Sequence, residues 1–499
     1  MKSSVLIWVV VFVAILMLPA VGYAQQEAVV SGTVTDTTLG VLPGVAVTAL
    51  HVATGNLFEA VTDQRGTYRL PVRVGAYRLT VQLPGFATVT RGVELLVGQQ
   101  AVVNFEMAPS TLQETVTVTS EAPLVETVSS ALGGNIDTKQ IKELPLNGRN
   151  WLELTLLAPG NRANAVTESP MVVGNAFQIN VDGQQVSLNI AGSAIGQPRF
   201  SSDAIAEFEF VANRFDATQG RSSGVQVNVV SKSGTNEYAG SLAGYFRSDH
   251  FNAADKIQKR VLPYSNQQLS GTFGGPIRRD RIHFFANYEF EREPQTFTYN
   301  SPFPRFNVDQ SGTRTEKKGG GRVDVQFTPQ TRVMMRGSKY RRVTPFDPNV
   351  SGGAVNHPSA STTDGRWSTQ GNGTLTHVFS NRAVNEIKVG YTHYWFEHMP
   401  NVKNPNSPTG LGGAPLISFR GYTIGHASNA PIQEDGSQWQ IRDDFTYSYN
   451  LGGRHTLVTG GEYLPHLTRL LQCDRCNGII DATGAVSYTH LTLPTILRV

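Results

Sequence analysis

From Arg281 to Arg292, Ile282, Phe284, Ala286, Tyr288 and Phe290 alternate with His283, Asn287, Glu289 and Glu291, and only Phe285 breaks the pattern. A period of two is that of a strand with one apolar and one polar face. The same alternation recurs at Tyr238–Arg247, Gln267–Gly274, Arg322–Phe327, Arg332–Tyr340, Gly371–Phe379, Ala383–Phe396, Gln438–Tyr449 and His455–Leu464, so about nine strands are expected between 236 and 485. A soluble sandwich would alternate too, and the connections separate the two cases. Short turns at 276–280, 328–331, 380–382 and 450–454 take turns with long polar stretches at 249–266, 293–319, 341–370 and 397–437. Transmembrane barrels join strands of ~9–11 residues in this way, with short turns inside and long loops outside. The pattern therefore predicts the N-terminal part of an antiparallel β-barrel. Tyr288, Tyr391, Trp395, Trp439, Tyr447 and Tyr463 stand where girdle aromatics would, though each is equally ordinary strand filler. His283 and Glu289 are expected to line a solvated lumen.

Upstream the pattern is finer-grained. Residues 25–109 read as seven short strands (SGTVTD, GVAVTALH, EAVTD, GTYRLPV, GAYRLTVQ, VELLVG, AVVNFEM) broken by turns, which predicts a small β-sandwich. His51 is its only histidine, so it offers no zinc set. Residues 110–235 predict a mixed α/β unit. It opens on Glu114, Thr115, Val116, Thr117 and Val118, a β-prone run that is equally a linker or a strand lent to another protein. Asp137 and Gln140 are spaced as a capping box, and the helix they open stops at Leu144-Pro145. An Asn147-Gly148 turn leads to a second short helix, Trp151–Leu157, closed by Pro159-Gly160. Strand material with glycine turns follows at 177–183, 202–211 and 221–230.

Composition sharpens the class. Of 499 residues only 40% are hydrophobic and 49 are Gly, which suits many strands better than helical bundles. Net charge is +3, from 42 basic and 39 acidic residues, so no nucleic-acid partner is indicated. No Walker loop, HExxH or G-x-S-x-G occurs in a fitting context, and neither an enzyme nor a cofactor is expected. Residues 1–24 form a signal peptide, with Lys2, an apolar Val5–Leu18 core and Gly22-Tyr23-Ala24 at the cleavage positions; an uncleaved anchor is the alternative. With no later run apolar enough for a membrane helix, a membrane location beyond that point requires a barrel. The two cysteines, Cys473 and Cys476, lack the further ligands of a zinc site and the helix of a redox motif, and a loop disulfide is expected ahead of free thiols.

ETVTVT, LPLNGRN with its following helix and APG, SDAIAEFEF, NRFDATQGRSSG and VNVVSKSGTNEYAGS occur here in one order. In that order they resemble the TonB-dependent outer-membrane receptors that carry a carboxypeptidase-regulatory-like domain in front of the plug (Oar-like). Gly32-Thr-Val-Thr-Asp36, Leu42-Pro-Gly-Val45, Thr62-Asp-Gln-Arg-Gly-Thr-Tyr68 and Gly85-Phe86 resemble that front domain, a name that implies no peptidase activity. The resemblance implies that residues 114–118 are the TonB box, the partner is TonB, the plug spans the rest of 110–235, and the barrel sits in the outer-membrane lipid of a Gram-negative bacterium. It implies import of an extracellular ligand whose identity the sequence does not give. An outer-membrane-anchored adhesion or surface-assembly protein is the alternative. One departure is Ile190-Ala191-Gly192, where the family pattern leads one to expect a second Asp-Gly turn. About nine strands cannot surround a plug, and residues 486–499 lose the alternation, so the chain is expected to be C-terminally truncated with a non-native tail.

Overall fold

Eight short strands follow one another in the N-terminal unit: β1 (Ala28–Asp36), β2 (Ala46–His51), β3 (Leu57–Val61), β4 (Thr67–Val72), β5 (Gly75–Gln82), β6 (Val89–Leu95), β7 (Gln100–Val102) and β8 (Phe105–Met107). A ninth, β9 (Val116–Val118), follows a short connection. The computed structural model describes residues 28–110, 116–118, 132–157 (without 145, 147 and 148), 177–212 (without 191, 192, 197 and 198) and 225–483. From that last span 255, 257, 258, 300–303, 348–356, 402–414, 428, 429, 451–453, 474, 476 and 477 are excepted. The expected signal peptide at 1–24, Glu114, Thr115, the Asn147-Gly148 turn, Cys476 and the tail at 486–499 lie outside the described residues.

The two layers of the sandwich are β4-β1-β7, with β8 pairing the far end of β1, and β3-β2-β5-β6-β9. Between the layers Val30, Val34, Val47, Phe58, Tyr68, Leu79, Val81, Leu95, Phe105 and Met107 form one buried cluster. The Tyr68 hydroxyl is satisfied by donating to the Val103 carbonyl at 2.7 Å. Gly32 is required where that segment passes, because a Cβ there would meet the Val103 carbonyl oxygen at 1.9 Å.

The central unit holds β10 (Leu132–Ile136), helix α1 (Thr138–Glu143), a 3₁₀ turn at Trp151–Leu157, β11 (Phe177–Val181), β12 (Gln184–Gln185), β13 (Leu188–Ile190), β14 (Ser193–Gly196), β15 (Ile205–Ala212) and β16 (Val225–Ser231). Its main sheet runs β10-β15-β16-β11-β12. The expected capping box forms: Gln140 N–H donates to Asp137 at 2.8 Å and Asp137 N–H to the Gln140 side chain at 3.1 Å. Trp151 packs edge-on against Phe208 at 5.1 Å, in a core that includes Ile141, Ile179, Val181, Ile205, Phe210, Val227 and Val229.

The remainder is one antiparallel wall: β17 (Ala239–Ser248), β18 (Ser265–Arg278), β19 (Ile282–Tyr299), β20 (Val308–Gln326), β21 (Thr331–Asp347), β22 (Thr362–Ser380) and β23 (Ala383–Pro400). A small external sheet contains β24 (Leu416–Phe419) and β25 (Tyr422–Ile424), and the wall resumes with β26 (Ile432–Asn450), β27 (Arg454–Tyr463) and β28 (His466–Gln472). β29 (Ile479–Ala482) joins β24 in parallel. Among the described residues ten strands stand where about nine were expected, because β27 and β28 share the edge of β26, one below the other. β17 and β27 end the strand order and do not pair with each other. The strands are also longer than expected. β20 begins at Val308 rather than Arg322, so most of the polar 293–319 stretch is strand and not loop.

Burial in the wall is the reverse of a soluble protein's. Leu242, Phe246, Phe273, Ile277, Tyr288, Met335, Leu375, Ile387, Val389, Trp439, Ile441 and Tyr463 are exposed, whereas Gln268, His283, Glu289, Glu316, Lys318, Arg322, Asp324, Arg336, Gln370, Glu386, Lys388 and Gln438 are buried. The apolar face is one that lipid would cover, and the polar face is covered by the chain itself. Among the described residues no helix is long and apolar enough to cross a membrane.

Candidate functional site at the seam between the central unit and the wall

Two ionic hubs fasten the central unit to the polar face of the wall. The first forms around Arg149, from the LPLNGRN motif, whose backbone takes a positive φ of 54°. Its Nη2 donates to Asp203 at 2.8 Å and its Nη1 lies 3.7 Å from Glu289 of β19. The guanidinium sits 4.2 Å above the Tyr245 ring of β17. Asp203 also accepts from Ser270 of β18 at 2.5 Å. Burial opposes both charges, but for Asp203 the Ser270 and Arg149 hydrogen bonds outweigh it and hold the carboxyl below its usual range. For Arg149 the Asp203 hydrogen bond and charge likewise outweigh burial and raise its pKa. Lys232, which donates to the Asp203 carbonyl at 2.8 Å, is pushed down to about 8 by burial and then by Lys142.

The second hub is Asp182. It occupies the Asp182-Gly183 turn between β11 and β12 at a positive φ of 49°, which a residue with a short polar side chain tolerates. Its carboxylate accepts from Ser231 N–H at 2.9 Å and Ser231 Oγ at 2.6 Å, and pairs with Arg322 at 3.2 Å and Arg336 at 3.0 Å. Arg322 in turn pairs with Asp324 at 2.9 Å, which accepts from Arg73 of the sandwich at 2.7 Å. Arg73, Asp324, Arg322, Asp182 and Arg336 thus form a chain of alternating charge through all three units.

Glu289 and His283 are not solvated lining, as the sequence led us to expect; each is only 1% exposed. The central unit fills the space they face. Glu289 accepts from Lys318 at 2.8 Å, Gln268 at 2.7 Å and Ser201 at 2.5 Å, and His283 Nε2 lies 2.9 Å from Asn236 Oδ1. Farther along the seam, Gln185 N–H donates to Gln440 at 3.0 Å and Gln184 Nε2 to Thr392 at 3.0 Å.

The sandwich closes the end of the wall that carries the short turns. Asn56 donates to the Asp280 carbonyl at 2.8 Å, Asn236 N–H to the Ala53 carbonyl at 2.9 Å, and Asn381 to the Val61 carbonyl at 3.1 Å. Against the central unit, Val97 N–H donates to Glu207 at 2.5 Å, and burial pushes that carboxyl up to about 8. A cavity of about 200 Å³ remains where the three units meet, lined by His51, Arg73, Glu94, Glu207, Arg332 and Glu386.

Of the residues singled out from sequence, Val116–Val118 form a strand, and it lies on the sandwich: Val89 pairs with Val116, Thr90 with Thr117 and Arg91 with Val118, in parallel. Cys473 is buried and its N–H donates to the Pro431 carbonyl at 2.9 Å, in the outer part of the wall. The structure does not bring these two sites together: Val116–Val118 pairs with the sandwich, and Cys473 with the segment that leads into β26. The hub residues Arg149, Asp182, Arg322 and Arg336 escaped sequence reasoning as a group. The Asp-Gly turn after FQINV and the arginine of LPLNGRN were their only local signals. Among the described residues no cluster of three or more His, Cys, Asp or Glu side chains is arranged to hold a metal.

Residues 29–108 match the carboxypeptidase regulatory-like domain family, and residues 230–308 together with 298–494 match the outer membrane beta barrel domain family. The TonB-dependent transporter Oar of Myxococcus xanthus is 26% identical over 326 residues, a match covering 61% of this chain and 30% of that protein. Among solved structures, the outer membrane transporter YddB of Escherichia coli superposes with a TM-score of 0.51 at 11% identity, over 68% of this chain and 50% of that one. The siderophore receptor PirA of Pseudomonas aeruginosa gives 0.46 at 13% identity, over 70% and 49%. The chain spans about a third of the length of Oar and half that of the solved transporters it matches.

Proposed function

The chain belongs to the outer membrane β-barrel domain family and lies in the outer membrane, and from that premise we propose that it is a TonB-dependent receptor that binds a ligand at the cell surface and imports it with energy delivered through TonB. The central unit is then the plug and Glu114–Val118 the TonB box. One observation carries the active-transport reading: the polar face of the wall is filled by a separately cored domain held through buried ion pairs. A filled lumen passes a ligand only if the filler moves, and removing one partner of a buried pair costs about 3–5 kcal/mol. Thermal fluctuation seldom supplies several such terms at once, so an outside source of work is needed. A docking strand serves that purpose, because β-augmentation reads main-chain groups and tolerates a Val/Thr sequence.

Replacing Val116 by proline removes a backbone donor from the strand. The Val116→Pro protein, assembled in outer membranes, is expected to lose retention of the purified periplasmic domain of TonB while its barrel assembles normally. Unchanged retention would refute the box. Energy dependence separates import from adhesion: a surface anchor keeps its function when a protonophore collapses the proton-motive force, and a TonB-dependent importer does not.

A further inference from the structure

We propose that the free edge of β6 is the resting dock of the box strand, so that the sandwich and the energy-delivering partner compete for Val116–Val118. The proposal deepens the reading of these residues as a TonB box and rests on it. The observation is the pairing itself. Without β9 the sheet order β3-β2-β5-β6 would end on β6, whose outward N–H and C=O groups would lie open to any strand. β9 supplies that cover from the same chain, in parallel and in register over three residues. The edge suits such an occupant. The Arg91 side chain is taken up within the sandwich, its guanidinium 5.6 Å over the Phe105 ring and its Nη1 donating to the Asn104 carbonyl at 3.4 Å.

The strength of the dock follows from its geometry. Three parallel residues make few hydrogen bonds, each worth about 0.5–1.5 kcal/mol net, and parallel pairing is the weaker kind. Between separate molecules such a contact would hardly persist. Here β9 follows β8 after residues 108–115 alone, and a short tether gives an effective concentration in the millimolar range. The strand is therefore covered at rest yet readily surrendered. A partner that adds its own strand to the box needs the main-chain groups that β6 holds, and its apparent affinity falls by the fraction of time the strand is free.

A cross-link tests this on the full protein in isolated outer membranes, with Cys473→Ser and Cys476→Ser removing the native cysteines. Thr90→Cys and Thr117→Cys are register partners and should bond on mild oxidation, whereas Thr90→Cys with Val118→Cys, one position out of register, should not. The oxidised Thr90/Thr117 protein is expected to bind the purified periplasmic domain of TonB about tenfold or more weakly, and reductant should restore binding. Equal cross-linking of the two pairs, mapped by mass spectrometry, would overturn the dock. Efficient cross-linking with unchanged TonB binding would overturn the competition, since the partner would then be reading the other edge. If TonB binds neither the oxidised nor the reduced protein, the box reading and the competition both fail, and the cross-link yield alone decides whether β6 holds the strand.

Discussion

Asp182 accepts from three donors with one short side chain, Ser231 N–H, Ser231 Oγ and Arg322, and forms an ion pair with a second arginine of the wall, Arg336. Removing it would strand Arg336, which has no second carboxylate within salt-bridge distance among the contacts described, more severely than Arg322, which keeps Asp324 at 2.9 Å. Asp182→Ala is expected to destabilise the seated central unit by about 3–5 kcal/mol, read as a lower denaturant midpoint for protease protection of residues 177–231. A midpoint within experimental error of the parent would mean that the hub holds nothing. None of this was legible in the sequence, because Arg322 lies 140 positions from Asp182 and a single sequence carries no sign of such a pairing. The Asp137–Gln140 capping box was legible because both partners stand within one turn and the chemistry is local.

At the scale of the strand, neighbours in register give the wall a layered outer face. Phe284, Val323, Met335, Gly373, Val389 and Ile441 form one row around the sheet, and Tyr288, Lys339 and His393 stand four residues farther along. Beyond them Trp367 and Trp395 stack at 5.3 Å in the row of Lys317 and Arg341, where the apolar surface gives way to charge. Val389, 43% exposed, therefore sits well within the belt. Val389→Arg is expected to destabilise the wall by about 2–4 kcal/mol in lipid, measured by reversible unfolding from vesicles, and an effect below about 1 kcal/mol would place this row at an interface instead. The 18-residue strands β19 and β23 rise roughly 60 Å along their axes, or about 40 Å at a 45° tilt, against an apolar band of about 25 Å. Their outer halves consequently stand in water. This is why strand existence was legible and strand length was not: above the lipid nothing demands alternation, and VDQSGTRTEKKGGG reads as loop while hydrogen bonding holds it as strand.

In the molecule as a whole, the sandwich and the central unit meet at Glu207. Burial raises its carboxyl to about 8, against 4.5 when free, and Glu94, Asp137 and Glu209 facing it add to the rise while the Val97 N–H opposes it. Below about pH 4.5 the group is neutral whether the seam is closed or open, so burial carries no ionisation penalty. Between there and about 8 the closed state must hold a proton that the open state releases, and closure weakens steadily as pH rises. Protection factors at 95–99 and 205–209, corrected for the intrinsic pH dependence of amide exchange, should accordingly be higher at pH 5 than at pH 8, and Glu207→Gln should flatten that difference. Equal protection of the parent at both pH values would rule the effect out. That a small sandwich precedes the barrel was legible in the sequence, but not that the units would share one buried junction, since the charges that join them look solvated when read along the chain.

If Val116–Val118 belongs to a TonB box, as proposed above, its position has a mechanical meaning as well. Val116–Val118 is the midpoint of a two-armed tether, with residues 108–115 leading back to the sandwich and 119–131 leading onward to the central unit. On the competition proposed above, tension applied while β6 holds the strand is borne by the sandwich and the turns it leans on, before any of it reaches the central unit. Once the grip slips, the load passes to the second arm. On that proposal the β6 edge works as a clutch, leaving the filler of the lumen undisturbed by weak tugs and engaging it only when the pull is sustained.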